Sequence, residues 1–233
     1  MDKNPQTGDH RMTLVIAALG KDFVILGADS RGVIDAGLGR AEINIYQKTI
    51  QITKYASIQL YGHAEEGSQL VEKYKAQIKR RLQSVDLVAE DFCKFCQDEE
   101  RAIADVPKDP AFRISFGFLV SGLRIKNGKG TPQIYNLRNL TGFRLGLCRP
   151  YAIRGKTLIA HYLFSMYYRN DMTINDLCKV VAQSIYDTMH IDGDVGGPIR
   201  MTIIDSGGTR ELSDSDVNAY IETWDLRNLR RIM

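Results

Sequence analysis

The stretch HRMTLVIAALGKDFVILGADSRG, residues His10–Gly32, contains two short apolar runs joined by a turn that begins at Gly20. Short apolar runs bounded by turn residues predict buried strands, and the tight turn predicts that they pair as an antiparallel hairpin. Thr13 directly follows Met12 at the head of the first run, and an Asp-Ser-Arg-Gly segment ends the second. The stretch leaves open whether Thr13 is an ordinary strand residue or the first residue of a mature catalytic chain.

The composition of the chain favours one large domain. The chain has 233 residues, of which 44% are hydrophobic and 25% are charged, and its formal net charge is +3. Such values are typical of a globular domain with a sizeable core. No stripe of Lys and Arg alternates with aromatic residues, which argues against a nucleic-acid partner. The densest basic run, residues 79–81, is typical of a solvated helix end, with an acidic partner site as the alternative.

The first twelve residues are polar and contain no apolar signal core. We interpret residues 1–12 as an N-terminal extension or propeptide and residues 13–233 as a single domain, with a C-terminal tail from about residue 212. The apolar run that begins at Met12 is far too short to span a membrane. These features predict a cytoplasmic protein without a membrane partner.

The cysteines and histidines form no recognisable metal pattern. Four cysteines in a chain of 233 residues do not make a disulfide scaffold. Cys93 and Cys96 are one helical turn apart, which favours a partly buried structural pair over metal or redox chemistry, because a structural zinc site needs four ligands. His63, His161 and His190 are widely spaced along the chain. We therefore expect neither a metal nor a cofactor.

The apolar periodicity alternates between blocks of strands and pairs of helices. In one apolar face of the third helix we place Leu158, Tyr162, Leu163 and Met166. Residues 33–47 are predicted to be a loop. The predicted strands are 13–20, 23–29, 48–53, 57–62, 112–125, 133–138, 142–147, 150–153 and 198–205, and the predicted helices are 65–82, 84–104, 155–168 and 173–189, with a further short helix in the tail. This order predicts an α+β fold in which two stacked antiparallel sheets each carry an outer layer of helices.

From Thr13 to Asp205 the chain resembles the proteasome-type N-terminal-nucleophile hydrolases, especially the beta subunits and their divergent bacterial and archaeal homologues. That family begins its mature chain with a threonine and has an acidic residue sixteen positions later, in an acidic-x-Arg motif. Here these residues are Thr13, Asp29 and Arg31. The family's lysine at the start of a short alternating strand corresponds to Lys48, and its glycine at the end of the next strand corresponds to Gly62. The segments YAIRGKTLIAHYLF and DGDVGGPIRMTII are also similar to family segments.

The resemblance implies a four-layer αββα sandwich and an active site at Thr13. The α-amino group of a terminal Thr13 would serve as the base for its own hydroxyl. Lys48 would lower the pKa of that amine by like-charge repulsion, and Asp29 would keep Lys48 charged and oriented. By the same resemblance, Arg31 braces the Asp29 turn, and the backbone N–H of Gly62 stabilises the oxyanion.

The resemblance also implies further site residues and partners. Asp192 belongs to the loop that closes the active site, and the substrate contacts are Gly32, Leu60 and Ala64. Leu60 would form the floor of a shallow apolar pocket that accepts small or medium apolar side chains, unless Glu65 or Glu66 turns inward and favours basic ones. The implied partners are a peptide or protein substrate and further copies of the chain in a ring or open ring. Whether a regulatory ATPase takes part is left open.

Two positions depart from the family pattern. Arg154 and Val195 stand where the family usually has serines near the terminal amine. The main interpretation is a threonine-type peptidase that works through an acyl-enzyme. One alternative is a catalytically silent ring or scaffold subunit of the same fold. The other is an amidase or peptide ligase that uses the same nucleophile.

Overall fold

The computed structural model describes residues 13–35, 40–43, 46–78, 82–103 and 115–223. The strands are β1 Leu14–Leu19, β2 Val24–Ala28, β3 Gly32–Asp35, β4 Arg40–Ile43, β5 Thr49–Thr53, β6 Ala56–Gly62, β7 Phe116–Lys126, β8 Lys129–Arg138, β9 Gly146–Cys148, β10 Tyr151–Gly155, β11 Arg200–Asp205 and β12 Gly208–Glu211. The helices are α1 Ala64–Gln77, α2 Val85–Ile103, α3 Leu158–Tyr167, α4 Ile174–Ile191 and α5 Asp214–Glu222.

Ten of the strands form two antiparallel sheets. The first sheet has the order β10-β1-β2-β11-β12, and the second has the order β5-β6-β7-β8-β9. The β1–β2 hairpin lies inside the first sheet, and all its strand residues are buried, because one face meets helices and the other meets the second sheet. This explains why both strands read as continuous apolar runs instead of alternating ones.

Three hydrophobic layers hold the sandwich together. Helices α3, α4 and α5 pack on the outer face of the first sheet, and helices α1 and α2 pack on the outer face of the second. Between the two sheets lies a third cluster, to which Val15, Leu26 and Leu119 contribute. This arrangement confirms the predicted α+β sandwich with four layers.

The predicted loop at residues 33–47 is wrong in part. The structure has a short hairpin there, in which β3 pairs with β4 in a two-stranded sheet. Short segments with two apolar residues each, Val33 with Ile34 and Ala41 with Ile43, pair here, but the glycines between them in the sequence dominated the pattern. The predicted basic helix end at residues 79–81, residues 1–12 and the start of the strand predicted from residue 112 lie outside the described residues.

The apolar face predicted for the third helix divides into a covered and an uncovered part. Leu163 is buried, but Leu158, Tyr162 and Met166 are 82%, 62% and 54% exposed. The buried face of the helix, with Ala160, Leu163 and Phe164, packs mainly against α4 and also reaches Tyr151 of the edge strand β10 through Phe164. The apolar stripe is wider than the area that these contacts cover, so part of it remains on the surface.

Three further observations concern the described residues only. Cys93, Cys96, Cys148 and Cys178 are free. In the part of the chain that the structure describes, no helix is long and apolar enough to cross a membrane. The same residues contain no cluster of His, Cys, Asp and Glu that could hold a metal ion.

Candidate active site

The carboxylate of Asp29 is the centre of the site and is fully buried. Its Oδ1 atom accepts hydrogen bonds from the Leu14 N–H at 2.8 Å, from the Lys48 ammonium at 2.6 Å and from the Thr13 hydroxyl at 3.4 Å. Its Oδ2 atom accepts from two backbone N–H groups, those of Arg31 at 3.3 Å and Gly196 at 3.2 Å. One oxygen therefore faces the reactive groups, and the other holds the surrounding backbone.

The hairpin register explains why Thr13 and Asp29 meet although they are sixteen positions apart. Val15 lies opposite Ala28 across the β1–β2 pair, so the same register places Asp29 opposite Leu14 and next to Thr13. The Asp29 N–H continues the pairing by donating to the Leu14 carbonyl at 3.2 Å. A rigid and buried sheet thus fixes the distance between the candidate nucleophile and its carboxylate.

A neighbouring strand holds the backbone of Thr13 from the other side. The Lys156 N–H donates to the Thr13 carbonyl at 2.8 Å, just beyond the end of β10. Gly155 has a φ angle of +94°, and a Cβ atom at this position would lie 1.7 Å from the Thr13 carbonyl oxygen. Only glycine combines this backbone conformation with so close an approach.

Lys48 enters the site immediately before β5 and is 4% exposed. Its carbonyl accepts from the Leu60 N–H at 2.8 Å, which ties it to the strand that ends at Gly62. Burial lowers the pKa of the Lys48 ammonium below its ordinary value of 10.5; the attraction of Asp29 opposes this shift, and the charge of Arg31 adds to it. The ammonium is therefore held in place by Asp29 against a dry environment that favours loss of its proton.

The loop after α4 braces the turn that carries Asp29 and Arg31. The Ser30 N–H donates to the Gly196 carbonyl at 3.0 Å, and the Arg31 guanidinium donates to the Gly193 carbonyl. A Cβ atom at Gly196 would lie 2.5 Å from the Arg31 side chain, so the guanidinium passes directly over this glycine. Arg31 thus connects the Asp29 turn to the loop. The bracing role that the resemblance implies for Arg31 stays a prediction.

The second sheet brings Gly62 to the end of β6, where its φ angle is +83°. A Cβ atom there would lie 2.3 Å from the carbonyl oxygen of Ser115 on the approach to β7. The position therefore requires glycine for a backbone reason. Its role as an oxyanion donor stays a prediction.

The three positions near the expected amine network have other partners in the structure. The Asp192 carboxylate binds the Lys156 ammonium at 3.3 Å and accepts from the Asp194 N–H at 3.0 Å. Val195 is buried in the core beneath the first sheet. Arg154 is half-buried and donates to Asn136 Oδ1 at 3.3 Å and to the Ile153 carbonyl at 2.9 Å. The catalytic role of Asp192 stays a prediction.

The predicted substrate contacts lie on the elements around Gly62. Leu60 is 2% exposed and packs in the cluster between the second sheet and α1, α2, where a Cβ atom on Gly67 would lie 2.1 Å from its side chain. Glu65 is exposed, and Glu66 pairs with His63 at the surface. Gly32 opens β3, and Ala64 opens α1. The substrate roles of Gly32, Leu60 and Ala64 stay predictions.

Three residues of the site were not singled out from the sequence. Gly155, Lys156 and Gly196 each contact Thr13 or the Asp29 turn, as described above. The glycines are indistinguishable from ordinary turn glycines in a single sequence. A signal for Lys156 did exist, because Asp192 and Asp194 are two carboxylates in the loop expected to close the site.

Comparison with known proteins agrees with this architecture. A family model described as Proteasome subunit matches residues 11–204. A comparison with curated proteins gave no significant match. The family match spans most of the 233 residues and contains Thr13, both sheets up to β11 and the loop after α4. The chain therefore belongs to the proteasome subunit family.

Proposed function

We propose that the chain is a cytoplasmic N-terminal threonine hydrolase that cleaves peptide bonds through an acyl-enzyme, with Thr13 as the nucleophile. The observation that carries the proposal is the convergence of the Thr13 hydroxyl and the Lys48 ammonium on one oxygen of buried Asp29, at 3.4 and 2.6 Å. A threonine hydroxyl becomes a useful nucleophile only when a base removes its proton. The membership of the proteasome subunit family supports a peptide substrate.

Release of residues 1–12 supplies the base. The amide nitrogen of Thr13 then becomes an α-amino group, whose ordinary pKa is about 8. The Lys48 ammonium lowers this pKa through like-charge repulsion, so that a larger share of the amine is neutral at cellular pH. The neutral amine accepts the hydroxyl proton while Thr13 Oγ1 bonds to the carbonyl carbon of the scissile peptide.

The remaining steps return the proton and release the products. The carbonyl oxygen gains negative charge in the tetrahedral adduct, where the Gly62 N–H donates to it. The C–N bond then breaks, and the protonated α-amino group gives its proton to the departing amine. An ester between Thr13 Oγ1 and the acyl part of the substrate remains. Water, activated by the same amine, hydrolyses this ester and restores the free hydroxyl.

Two alternatives use the same fold. An amidase or ligase differs only in the amine that is cleaved or in the nucleophile that resolves the ester. A silent subunit is favoured by Arg154 and Val195, neither of which offers a hydroxyl to the terminal amine. A peptide substrate with an added amine acceptor separates hydrolysis from ligation by the mass of its product. A silent subunit yields neither product.

Intact-mass measurement of the purified protein tests the maturation step. We expect the active protein to lack residues 1–12 and the Thr13→Ala variant to retain residues that precede position 13 and to have no peptidase activity. Thr209→Ala is the matched control, because Thr209 lies on β12 and its hydroxyl binds the Lys54 carbonyl. Translation from Met12 followed by methionine removal would produce the same terminus. An active protein that still begins at Met1 would refute the mechanism.

The uncovered stripe on α3 supports assembly with further copies of the chain. Leu158, Tyr162 and Met166 follow one another at four-residue intervals, and Ile191 at the end of α4 is 69% exposed. Helix α3 contains no charged residue, so two copies could pair through it without like-charge repulsion. We expect Tyr162→Asp with Met166→Asp to lower the oligomeric mass in sedimentation experiments. Substitution of the exposed Leu87 on α2 by Asp is the control.

A further inference from the structure

We propose that Lys156 is a positioning residue that clamps the loop 192–196 onto the Asp29 turn and so fixes the geometry of the candidate catalytic pair. The proposal rests on the proposed function for its effect on turnover, but the clamp itself concerns structure. The Lys156 ammonium binds Asp194 Oδ2 at 3.0 Å and Asp192 Oδ2 at 3.3 Å. One cation therefore bridges two carboxylates of the same loop.

The backbone of Lys156 is fixed independently of its side chain. Its N–H donates to the Thr13 carbonyl at 2.8 Å, and the preceding Gly155 packs against the same carbonyl. The ammonium thus extends from a point that is rigidly tied to the candidate nucleophile. An ion pair between this side chain and the loop therefore fixes the position of the loop relative to Thr13.

The clamped loop supports the Asp29 turn through three hydrogen bonds. Gly196 donates its N–H to Asp29 Oδ2 and accepts from the Ser30 N–H, and the Gly193 carbonyl accepts from the Arg31 guanidinium. Asp29 in turn holds the Lys48 ammonium through its other oxygen. Direct contacts between protein groups therefore connect Lys156 to Lys48 through the loop and Asp29.

The electrostatic setting favours the clamp. Helix α4 ends at Ile191, and the Asp192 N–H still donates to the Thr188 carbonyl at 2.8 Å. A cation beside a helix C-terminus is stabilised by the helix dipole. Hydrogen bonds to Asp194 and, more weakly, Asp192 raise the pKa of Lys156 above its ordinary value, so the side chain stays charged throughout the neutral range. The side chains of these ion pairs are about 30% exposed, so dissolved salt can weaken the pairs by screening.

Hydrogen exchange of the Gly196 amide tests the clamp without reference to activity. Each partly exposed ion pair changes an opening equilibrium by roughly 1.5- to 5-fold, so losing two should accelerate exchange in Lys156→Met by about 2- to 30-fold. Lys156→Arg retains the charge and should stay within about twofold of the wild type. Lys73→Met is the matched control, because Lys73 pairs with Glu99 between α1 and α2, on the outer face of the second sheet.

Salt and turnover separate the clamp from simple packing of the lysine stem. At about 1 M salt the screening length falls to roughly 3 Å, so exchange at Gly196 in the wild type and in Lys156→Met should converge. Turnover should fall in Lys156→Met and recover in Lys156→Arg. If the wild type cleaves no peptide, the proposed function fails while the exchange data still decide the clamp. Unchanged Gly196 exchange in Lys156→Met overturns the clamp, whatever happens to turnover.

Discussion

Replacing Asp29 by asparagine removes the counter-charge of Lys48 and keeps the side-chain shape. The ammonium and the carboxylate are 2.6 Å apart and are 4% and 0% exposed. Removing one partner of such a buried pair costs about 3–5 kcal/mol. Release of the Lys48 proton sets an upper limit to this cost, because at pH 7 the deprotonation of a lysine with its ordinary pKa of 10.5 requires about 4.8 kcal/mol. We therefore expect Asp29→Asn to destabilise the protein by about 4 kcal/mol.

The hydrogen bonds of the Asp29 carboxylate also predict a loss of stability in Asp29→Asn. Asp29 Oδ1 accepts from three donors and Oδ2 from two. An asparagine offers one acceptor oxygen, so its NH2 group must face at least two N–H donors. Each buried donor left without an acceptor costs about 1–3 kcal/mol. For a domain of this size, a loss of about 4 kcal/mol lowers the melting temperature by roughly 8–16 °C.

The pH dependence of the unfolding free energy provides a second test of the role of Asp29. Burial lowers the pKa of Lys48, and Asp29 is the group that opposes the lowering. The unfolded chain then binds the Lys48 proton more tightly than the folded chain, so stability rises with pH until it levels off near 10.5. Without Asp29 this window extends to lower pH. The gain in unfolding free energy between pH 7 and pH 10.5 should therefore be larger in Asp29→Asn than in the wild type.

Urea unfolding at several pH values measures both effects. Asp214→Asn is the matched control, since Asp214 forms an exposed ion pair with Arg200 at 2.9 Å and should change stability by at most about 1 kcal/mol. The double variant Asp29→Asn with Lys48→Met contains neither charge and should regain part of the loss. The reasoning is refuted if Asp29→Asn is as stable as Asp214→Asn, or if its stability does not rise with pH.

Two further predictions concern the nucleophile and the substrate. Gly155→Ala should abolish peptidase activity and slow the loss of residues 1–12, because its Cβ atom would lie 1.7 Å from the Thr13 carbonyl oxygen. Gly128→Ala is the control, since Gly128 also has a positive φ but a Cβ atom there would have nothing within 4 Å. Equal activity of the two variants would contradict the argument. A panel of fluorogenic peptides that differ only before the scissile bond should show preference for small or medium apolar side chains, because Leu60 is apolar and Glu65 is exposed. A clear preference for Arg or Lys would point to Glu65 or Glu66 instead.

The hairpin that carries the site could be predicted because its geometry is local. A tight turn between two strands of similar length fixes which residues stand side by side at the open end, so the spacing of Thr13 and Asp29 is informative without tertiary information. The four-layer order followed from the change between strand and helix periods. Both inferences depend on contacts between neighbouring segments of the chain.

The remaining features depend on contacts between distant segments. The periodicity of α3 placed Leu158, Tyr162 and Met166 on an apolar face, but it could not show that α4 and β10 cover only the other side of the helix. Periodicity reports which residues lie together, and the width of the neighbouring surface decides which are buried. The pairing of β3 with β4 was missed because the glycines at positions 37 and 39 outweighed the few apolar residues around them.

The residues at the two departures from the family pattern have other contacts in the structure. In place of a serine hydroxyl, Val195 is 1% exposed and anchors the loop in the core beneath the first sheet. In place of the other serine, Arg154 turns toward Asn136 on the second sheet. Besides its hydrogen bonds to the Asp29 turn, the loop contacts the core through Val195 and the Lys156 ammonium through Asp192 and Asp194. If the terminal amine of Thr13 is the base, its basicity is set mainly by Lys48 and Asp29, which makes the integrity of that pair the condition on which activity depends.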